Sequence, residues 1–433
     1  MAPYQSAIVD PELEAWVTGM VSERADWFVG LCQDLVRIPS PNPPGDTTRI
    51  ASHVKGLLVE RGIPFHEYSP REGNPNLVAK LGTGNSPTLS LNAHLDTFPV
   101  VDPADWTFDP YSGQVHQGKL YGRGSADMKA GLAAALGTVL MMAEEGVTLS
   151  GTVSLSMVSD EETGSKWGTW WLAENVPGVL GDACLIGEPT GPLTPVIGEK
   201  APLWVRVTTY SRPMHGALSN GYDAVWKMAR AIVAIQTLSG LVYTPPKEIA
   251  ALVAEFKRKE REAGSGNDWW LDQPSINFGR ISGGVKVNVV PSSCELELDI
   301  RVPFGAASAE LLDELHRRLA EANVQAKVEV VMGTSDNPNF TSIEAPFLHL
   351  VRETIRGVTG NEPQFVLAPY FTDGRVFRVH GVPTVACGPR DHGMAGPDEH
   401  IVVDEYIEIV RIFALTAAAY CGVRIPEERA KPE

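Results

Sequence analysis

The chain has 433 residues, a hydrophobic content of 43%, a charged content of 21% and a formal net charge of −17. This length suits about two domains, and the composition is typical of a globular protein with a large interior. Acidic residues number 53 against 36 basic ones, without a dense run of Lys or Arg, which argues against nucleic acid and anionic membranes as partners.

The five cysteines are widely spaced and form no C-x-x-C pair. This pattern indicates neither a disulfide framework nor a thiolate zinc site. The N-terminus lacks a basic segment followed by an apolar stretch, and the longest small, apolar run, Ala130 to Ala143, is shorter than the roughly 20 residues of a membrane span. These features predict a reduced, cytoplasmic protein without a membrane segment.

The first part of the chain alternates predicted helices and strands. Apolar residues recur at helical spacing over Asp26 to Val36 and over Thr47 to Glu60. Strand-like runs and further helical segments follow, with strands at 76–80, 88–94, 151–159 and 182–187 and helices at 128–145 and 166–175. This alternation predicts an α/β fold with a mostly parallel, mixed sheet flanked by helices, whose chemistry lies beyond the carboxyl ends of the strands.

The pattern changes after about residue 199. Strands and helices then follow in the βαββαβ order of a ferredoxin-like unit, at 203–209, 222–239, 275–282, 293–302, 308–322 and 325–331. The polar insertion within it, at 255–268, is expected to be exposed. Beyond 333 the α/β pattern returns, with strands near 364–368 and 382–387 and a final helix from Asp404 to about Cys421. We therefore predict that residues 199–332 form a domain inserted into a larger one that comprises residues 1–198 and 333–433.

Carboxylates and imidazoles concentrate at predicted strand ends and turns, in the segments LNAHLDT (91–97), GRGSADMKAG (122–131), SDEETG (159–164) and IGEPT (186–190). His94 and Asp96 lie two residues apart, so their side chains point to the same side of a strand. Asp127 follows a glycine-rich turn, where an Asp also commonly caps a helix. The adjacent acids Glu161 and Glu162 repel each other at a dry strand end unless a cation or a proton compensates.

An imidazole with several carboxylates is a ligand set suited to Zn²⁺, Mn²⁺ or Co²⁺. A metal of this kind lowers the pKa of bound water and polarises a carbonyl group, while a carboxylate that does not bind the metal accepts the water proton. The two adjacent glutamates can therefore have two separate tasks. Near a metal, Asp96 would be the group that fixes the tautomer of His94.

These motifs, in this order and over nearly the whole chain, resemble the M20 family of metallopeptidases and deacylases, which includes acetylornithine deacetylase and the glutamate carboxypeptidases. The resemblance implies that His94, Asp127 and Glu188 hold one metal ion and that Asp127 bridges to a second ion, which Glu162 also binds. It implies one or two divalent ions per subunit. It further implies that Glu161 is the general base, that Asp96 orients the histidine, and that a cis peptide bond follows Asp127.

The inserted domain contributes three further candidate residues by the same resemblance. His215, in YSRPMHG, matches a histidine that stabilises the developing oxyanion. Asn288 and Arg301, in GGVKVNVVP and ELDIR, match positions of substrate contact, and a guanidinium group suits bidentate binding of a carboxylate. Because this domain usually dimerises in the family, we expect a homodimer or a higher homo-oligomer that acts on a small, carboxylate-bearing molecule.

The chain departs from the family pattern near its C-terminus. Family members with two metals have a histidine four residues before a glutamate, in a segment like A-H-x-P-D-E-Y. In GMAGPDEHI (393–401) that position is Ala395. His392 and His400 flank the position, and either could replace the missing ligand if the loop is rearranged. Without a replacement the second site keeps two carboxylates, and a single or labile metal is expected.

Three hypotheses of function follow. The first is hydrolysis of the amide bond in an N-acyl amino acid or a similar small carboxylate. The second is hydrolytic removal of an amine from an activated, for example aromatic, carbon, which the missing histidine and the nearby aromatic residues Trp167, Trp170, Trp171, Tyr370 and Phe371 favour. The third is an inactive relative of the fold that serves as a binding or structural subunit.

Overall fold

The computed structural model describes residues 9–82, 84, 87–333 and 337–424. It divides into two compact units by its internal contacts. The first unit comprises Met1–Ile197, Thr341–Val366 and Thr372–Glu433, and the second comprises Gly198–Phe340 and Leu367–Phe371. The domain boundaries from the sequence, after 198 and 332, stay a prediction. Part of the N-terminal stretch used for the prediction of localisation lies outside the described residues.

The helices and strands alternate along most of the chain. The helices are α1 (Pro11–Glu23), α2 (Ala25–Val36), α3 (Thr48–Glu60), α4 (Ala130–Glu144), α5 (Thr169–Asn175), α6 (Ala224–Gln236), α7 (Ala250–Ala263), α8 (Ser308–Glu321), α9 (Pro346–Thr359), α10 (Gly374–Val379) and α11 (Val403–Cys421). The strands are β1 (Phe65–Tyr68), β2 (Asn76–Gly82), β3 (Thr88–His94), β4 (Gln114–His116), β5 (Lys119–Tyr121), β6 (Thr148–Leu149), β7 (Thr152–Val158), β8 (Ala183–Ile186), β9 (Val196–Glu199), β10 (Ala201–Tyr210), β11 (Ser275–Gly283), β12 (Ser293–Val302), β13 (Ala326–Met332), β14 (Asn339–Phe340), β15 (Val366–Ala368), β16 (Thr384–Ala386), β17 (His400–Val402) and β18 (Val423–Arg424).

The largest sheet is mixed, with the strand order β1-β2-β7-β3-β8-β16-β9-β14 and with β15 paired to β9. Its four central strands β7, β3, β8 and β16 are parallel, whereas the flanking pairs are antiparallel. The predicted α/β class with a mixed sheet is confirmed, and the predicted parallel order holds for the central strands. Strands β1 and β2 are antiparallel, because only residues 69–75 join them and a parallel pair needs a crossover of a dozen or more residues.

Helix α4 is the core helix of the first unit, with residues buried from Ala130 to Met142. The segment Ser125–Glu144 is long and apolar enough to cross a membrane, but 89% of its apolar window is buried inside the protein, as expected for a core helix. Small residues allow the start of α4 to contact the end of β8. A Cβ atom on Gly131 would lie only 2.0 Å from the carbonyl oxygen of Gly187.

The second unit contains a four-stranded antiparallel sheet with the order β11-β12-β10-β13. Apolar residues of α6 and α8 pack with the buried residues of this sheet in one core. The order of elements and strands is that of a ferredoxin-like unit. No residue of the polar insertion at 255–268 is buried. The insertion includes the second half of α7, and the one buried residue of this helix, Val253, precedes the insertion. A lid or dimerisation role for this unit stays a prediction.

Candidate metal centre

His94 is the last residue of β3 and is 1% exposed. Its Nδ1 atom lies 2.8 Å from the main-chain carbonyl oxygen of Asp96 and 3.5 Å from the Asp96 carboxylate. A ring that donates from Nδ1 to a carbonyl oxygen presents Nε2 as its free electron pair, which is the form that binds metals. The Nε2 atom lies 3.0 Å from Oδ1 of Asp127 and 3.8 Å from Oε1 of Glu188.

The candidate ligand atoms of His94, Asp127 and Glu188 all lie within 4.8 Å of one another. Within the described ranges, this is the one such group of three or more His, Cys, Asp or Glu residues. His94 ends β3 and Glu188 lies just beyond β8, and these adjacent parallel strands have their carboxyl ends at one edge of the sheet. The three residues that the family resemblance assigns to one metal ion therefore form a compact cluster in the structure.

The turn before α4 places Asp127 at this edge. Gly124 adopts a left-handed conformation with φ of 80°, and a Cβ atom there would lie 2.4 Å from a methyl group of Thr97. This position therefore requires glycine. Asp127 and Met128 have non-helical torsion angles inside the turn, and the peptide bond between them is cis, as the family resemblance implies.

Asp96 connects His94 to the two adjacent glutamates. Its carboxylate accepts the main-chain N–H groups of Glu161 at 3.3 Å and of Glu162 at 3.2 Å. It also accepts a side-chain N–H of Asn42 at 2.9 Å. Asp96 is fully buried, so its charge is compensated by these donors and by the nearby imidazole. The carboxylate therefore holds the turn that carries the glutamates, while the main-chain carbonyl of Asp96 contacts Nδ1 of His94.

Three glutamates at this site each have a carboxylate oxygen without a hydrogen-bond partner. The Oε1 atoms of Glu161, Glu162 and Glu188 are buried and make no hydrogen bond among the described residues, and the Oε1 atom of Glu188 lies 3.8 Å from Nε2 of His94. Burial raises the pKa of all three groups well above the usual value, and Asp127 raises each of them further, while His94 opposes the shift. Such carboxylates require a cation or a proton. This donor set fits a divalent metal ion.

The charge around His94 supports the same conclusion. Burial lowers the pKa of His94, but hydrogen bonds to Asp127 and Asp96 and the charges of Glu188 and Asp127 outweigh burial and raise the pKa well above its ordinary value. The surrounding carboxylates therefore favour a positive charge at this position. A proton on His94 supplies it without a metal, and a divalent ion would supply more.

The loop that lacks the family histidine has other contacts. Ala395 has φ of 62°, and its carbonyl oxygen accepts an N–H of Arg123 at 2.9 Å. The rings of His392 and His400 are stacked with a centroid distance of 4.9 Å, and His400 also contacts the ring of Tyr121. In the part of the chain that is described, neither histidine belongs to a cluster of three ligand-type residues.

The three candidate residues of the inserted domain lie in the second unit. His215 is exposed, and its Nδ1 atom accepts the N–H of Ala217 at 3.2 Å. The main-chain carbonyl of Asn288 accepts the N–H of Gly216 at 2.8 Å. Arg301 donates from Nε and Nη2 to Asp299 at 3.0 and 2.8 Å, and its guanidinium group lies 4.7 Å from the centre of the Phe371 ring. The catalytic and binding roles of these residues stay predictions.

The tryptophans near the D-E-E-T-G turn have packing contacts. Trp171 lies 5.9 Å from the ring of Tyr68, beside a small buried cluster. Trp170 lies 6.0 Å from the ring of His380, and Lys166 lies over the ring of Trp167. These are packing contacts, and a role of the three residues in binding an aromatic substrate stays a prediction.

Sequence reasoning missed several residues that hold the site together. The buried carboxylate of Asp373 accepts the hydroxyl groups of Ser165 and Thr169, the latter at 2.6 Å. Arg375 donates to the carbonyl oxygen of Gly164 at 2.8 Å. The available signal was an Asp followed closely by an Arg, directly after the aromatic residues Tyr370 and Phe371. A further pair, Arg123 and Glu399, contacts the turn of Asp127.

Comparisons with known proteins identify the family of the chain. Residues 90–419 match the sequence profile of peptidase family M20/M25/M40. The succinyl-diaminopimelate desuccinylase of Gluconobacter oxydans (strain 621H) is 30% identical over 406 residues, which covers 90% of this chain and 94% of the relative. The enzyme of the same name from Cereibacter sphaeroides (strain ATCC 17025 / ATH 2.4.3) is 28% identical over 396 residues, which covers 90% of this chain and 96% of the relative.

Solved structures show the same fold. The M20 family metallo-carboxypeptidase Sso-CP2 from Sulfolobus solfataricus has a TM-score of 0.77 and 19% identity, covering 91% of this chain and 99% of its own. Human carnosine dipeptidase 1 has a TM-score of 0.74 and 19% identity, covering 94% of this chain and 99% of its own. At this identity the likeness concerns the fold alone.

Proposed function

We propose, because this chain belongs to peptidase family M20/M25/M40, that it hydrolyses the amide bond of an N-acyl amino acid or a similar small carboxylate. The observation that carries the proposal is the cluster of His94, Asp127 and Glu188, beside Glu161 and Glu162, whose buried Oε1 atoms have no hydrogen-bond partner in the described chain. A relative's name, succinyl-diaminopimelate desuccinylase, supports an acyl group attached to an amino acid as the substrate class.

His94, Asp127 and Glu188 would hold one divalent ion, with Zn²⁺, Mn²⁺ and Co²⁺ as the candidates. When bound, such an ion polarises the substrate carbonyl and lowers the pKa of water. Glu162 and Asp127 would be the protein ligands of a second ion. Because Ala395 replaces the family histidine and neither neighbouring histidine joins a ligand cluster in the described residues, we propose one firmly bound ion per subunit.

Glu161 is proposed as the general base that accepts a proton from the attacking water and returns it to the leaving amine. Its main-chain N–H is bound to Asp96, which fixes the start of the side chain. Its Oε1 atom has no protein partner within the described ranges, so it is available to bind water. Asp96 has the second task of orienting His94 through the contacts at Nδ1.

The second unit is proposed to bind the substrate carboxylate and the oxyanion. Because Nδ1 of His215 accepts an N–H group, the neutral ring carries its proton on Nε2, which can donate to an oxyanion. The Nη1 atom of Arg301 is buried without a hydrogen-bond partner in the described chain, and it can donate to a carboxylate. Asn288 is proposed as a further contact. The exposed apolar residues on and just before α6, which are Tyr222, Val225, Trp226 and Val233, support a homo-oligomer.

A second candidate function is hydrolytic deamination of an activated carbon. The observation that favours it is Ala395, because a site without a second ion polarises an amide carbonyl less strongly and therefore favours substrates that carry their own activation. The proposed ligands and the proposed base are the same in both reactions. Only the bond that is broken differs.

The test combines metal analysis with a substrate screen. The protein is analysed for metal as isolated and after loading with Zn²⁺, Mn²⁺ or Co²⁺, and each form is assayed with N-acyl amino acids and with aromatic amines. We expect one tightly bound ion per chain and release of a carboxylic acid from N-acyl amino acids. Release of ammonia from aromatic amines alone would establish the second candidate, and failure to take up any divalent ion would indicate an inactive relative.

A further inference from the structure

We propose that the buried ion pair of Arg123 and Glu399 positions Asp127 for metal binding by holding the main chain of its turn. The inference rests on the proposed metal centre, because Asp127 is one of its three candidate ligands. Neither Arg123 nor Glu399 belongs to this cluster of three candidate ligands. We therefore describe them as positioning residues. All the contacts involved lie within the first unit.

Glu399 satisfies two main-chain donors of the turn before α4. Its Oε1 atom accepts the N–H of Ala126 at 3.0 Å and the N–H of Asp127 at 3.2 Å. The first N–H groups of a helix or tight turn have no acceptor of their own and need one from elsewhere. Glu399 is 1% exposed, so water does not readily replace it. The carboxylate therefore determines where the main chain of Asp127 lies.

Arg123 completes this arrangement from the other side. Its Nη1 atom pairs with the Oε2 atom of Glu399. Its Nη2 atom donates to the carbonyl oxygens of Ala395 at 2.9 Å and of Gly396 at 3.0 Å. Arg123 is 2% exposed, and the ring of Trp106 lies 5.2 Å from its guanidinium carbon. The guanidinium group thus joins the loop at Ala395 to the turn that carries Asp127.

The same loop is fixed by contacts next to Glu399. The N–H of Gly122 donates to the carbonyl oxygen of Glu399 at 2.9 Å. The carboxylate of Asp398 accepts the N–H and the hydroxyl group of Thr107, both at 2.7 Å. The loop therefore keeps an ordered link to the Asp127 turn although it lacks the family histidine. Its proposed role in this chain is to support a ligand rather than to supply one.

Loss of Glu399 would leave two buried N–H groups without an acceptor and would allow the turn to shift. Asp127 Oδ1 would then leave its position 3.0 Å from Nε2 of His94. Groups that orient metal ligands typically change metal affinity by about 10- to 100-fold when they are replaced. We expect that range for Glu399→Ala. Glu399→Gln keeps one acceptor oxygen but turns an amide toward Arg123, so we expect a smaller loss.

The test measures the dissociation constant for Co²⁺ by equilibrium dialysis, together with kcat, KM and the unfolding temperature of the metal-free protein. The variants are Glu399→Ala, Glu399→Gln and His94→Ala. The matched control is Glu145→Gln, which removes a partly buried ion pair with Arg24 at the far end of α4. We expect weaker Co²⁺ binding and lower kcat in the Glu399 variants, with affinity in the control within twofold of the parent.

Two results would count against the inference in distinguishable ways. If both Glu399 variants bind Co²⁺ within twofold of the parent, the positioning role is wrong, whatever happens to the unfolding temperature. If His94→Ala itself retains Co²⁺ affinity, the proposed metal centre is wrong and the inference falls with it. If Glu399→Ala does not fold, Glu399→Gln decides the question by the same twofold limit.

Discussion

Glu161 and Glu162 are adjacent in sequence, yet their electrostatic surroundings differ. After burial, the strongest influence on the pKa of Glu161 is His94, which lowers it. After burial, the strongest influence on the pKa of Glu162 is Asp127, which raises it. Among its charged neighbours, Glu161 therefore interacts most strongly with the imidazole, and Glu162 with the proposed bridging aspartate. This difference supports the separate roles proposed for them.

Replacing Glu161 with Gln should leave metal binding nearly intact while turnover falls by roughly 10²- to 10⁴-fold, because the amide keeps the shape of the side chain but cannot accept the water proton. The measurements are kcat under saturating metal and the Co²⁺ dissociation constant. The exposed Glu174 on α5 provides a control as Glu174→Gln, which should change neither quantity. Retained turnover in Glu161→Gln would refute the assignment of the base.

Replacing Asp96 with Asn should impair both metal binding and turnover, in contrast to Glu161→Gln. The Asp96 carboxylate accepts the N–H groups of both glutamates and lies beside His94, and an amide has only one acceptor oxygen for these contacts. We expect about 10- to 100-fold weaker Co²⁺ binding, measured by dialysis, and a lower kcat. A variant with normal affinity and a reduced kcat alone would show that the Asp96 carboxylate does not orient His94.

At the scale of the elements, hydrophobic patterning predicted most of the regular structure. The strand at 88–94 has the predicted bounds, and α2, α3 and α11 begin within one residue of the predicted starts. Helix α1 was missed, although Asp10 accepts the N–H of Glu12 and a proline follows in the first turn, which are helix-start signals. The strands of the small sheet β17-β5-β4 are three residues each, too short for a periodic pattern.

The candidate site was predictable where it depends on parallel strands. The strands β3, β7 and β8 are neighbours, so residues just beyond their carboxyl ends converge, which brings His94, Glu161 and Glu188 together. The contact between Glu399 and Asp127 joins residues 272 positions apart. It depends on the path of a loop, which no periodic pattern encodes. The same reason explains why the contacts of Asp373 were missed.

Close contact between α4 and β8 should make Gly131 intolerant of a side chain. A Cβ atom there would lie 2.0 Å from the carbonyl oxygen of Gly187, so Gly131→Ala must displace main chain and should lower the free energy of unfolding by about 1–3 kcal/mol. The control Gly56→Ala, an exposed position in α3 with open space around it, should raise that free energy by up to about 1 kcal/mol. Chemical denaturation measures both, and equal effects would contradict the packing argument.

The stacked histidines should make the loop at 391–402 sensitive to acid. Burial, His400, Lys119 and Arg390 lower the pKa of His392, and Glu405 opposes them. The pKa of His392 is therefore lower in the folded protein than in the unfolded chain, where a histidine has a pKa of about 6.5. As the pH falls through this value, His392 takes up a proton more readily in the unfolded chain than in the folded protein. The stability contribution is therefore present above that pH and is lost as the pH falls below it.

Replacing His392 with Phe should remove this component, since an aromatic ring can still stack on His400 but cannot titrate. The free energy of unfolding of the variant should fall less steeply than that of the parent between pH 6.5 and pH 5, measured by denaturant titration at each pH. His66→Phe is the control, because His66 is an exposed residue of β1. An unchanged slope in His392→Phe would contradict the predicted proton uptake.

At the scale of the whole molecule, charge opposes self-association and one apolar surface favours it. The chain carries a formal charge of −17, so two copies repel each other at low ionic strength. The second unit nevertheless exposes a row of apolar residues on and just before α6, which consists of Tyr222, Val225, Trp226 and Val233. Trp226 and Val233 are seven residues apart and therefore lie on one side of α6, and the ring of Tyr222 lies 4.8 Å from the ring of Trp226. An exposed apolar patch of this kind is typical of a protein interface.

We expect this row of residues on α6 to contact a second copy of the chain, so Trp226→Glu should weaken self-association. The acid removes an aromatic contact and adds repulsion between two identical surfaces, while Trp226 is partly exposed and contributes little to the core. Sedimentation velocity should show a shift toward monomer in Trp226→Glu. The control Val59→Glu introduces the same charge at an exposed apolar position on α3 and should leave the oligomer unchanged.

The dependence of self-association on salt concentration provides a second test of the α6 surface. Raising the ionic strength from about 0.1 M to about 1 M shortens the screening length from about 10 Å to about 3 Å. Repulsion between copies therefore decreases, while burial of apolar surface is retained or strengthened, so the parent should associate more tightly in salt. In Trp226→Glu, screening relieves the added repulsion but cannot restore the lost aromatic contact, so its association should stay weaker than that of the parent at every salt concentration. If the parent dissociates as salt rises, ion pairs rather than the α6 surface hold the copies together.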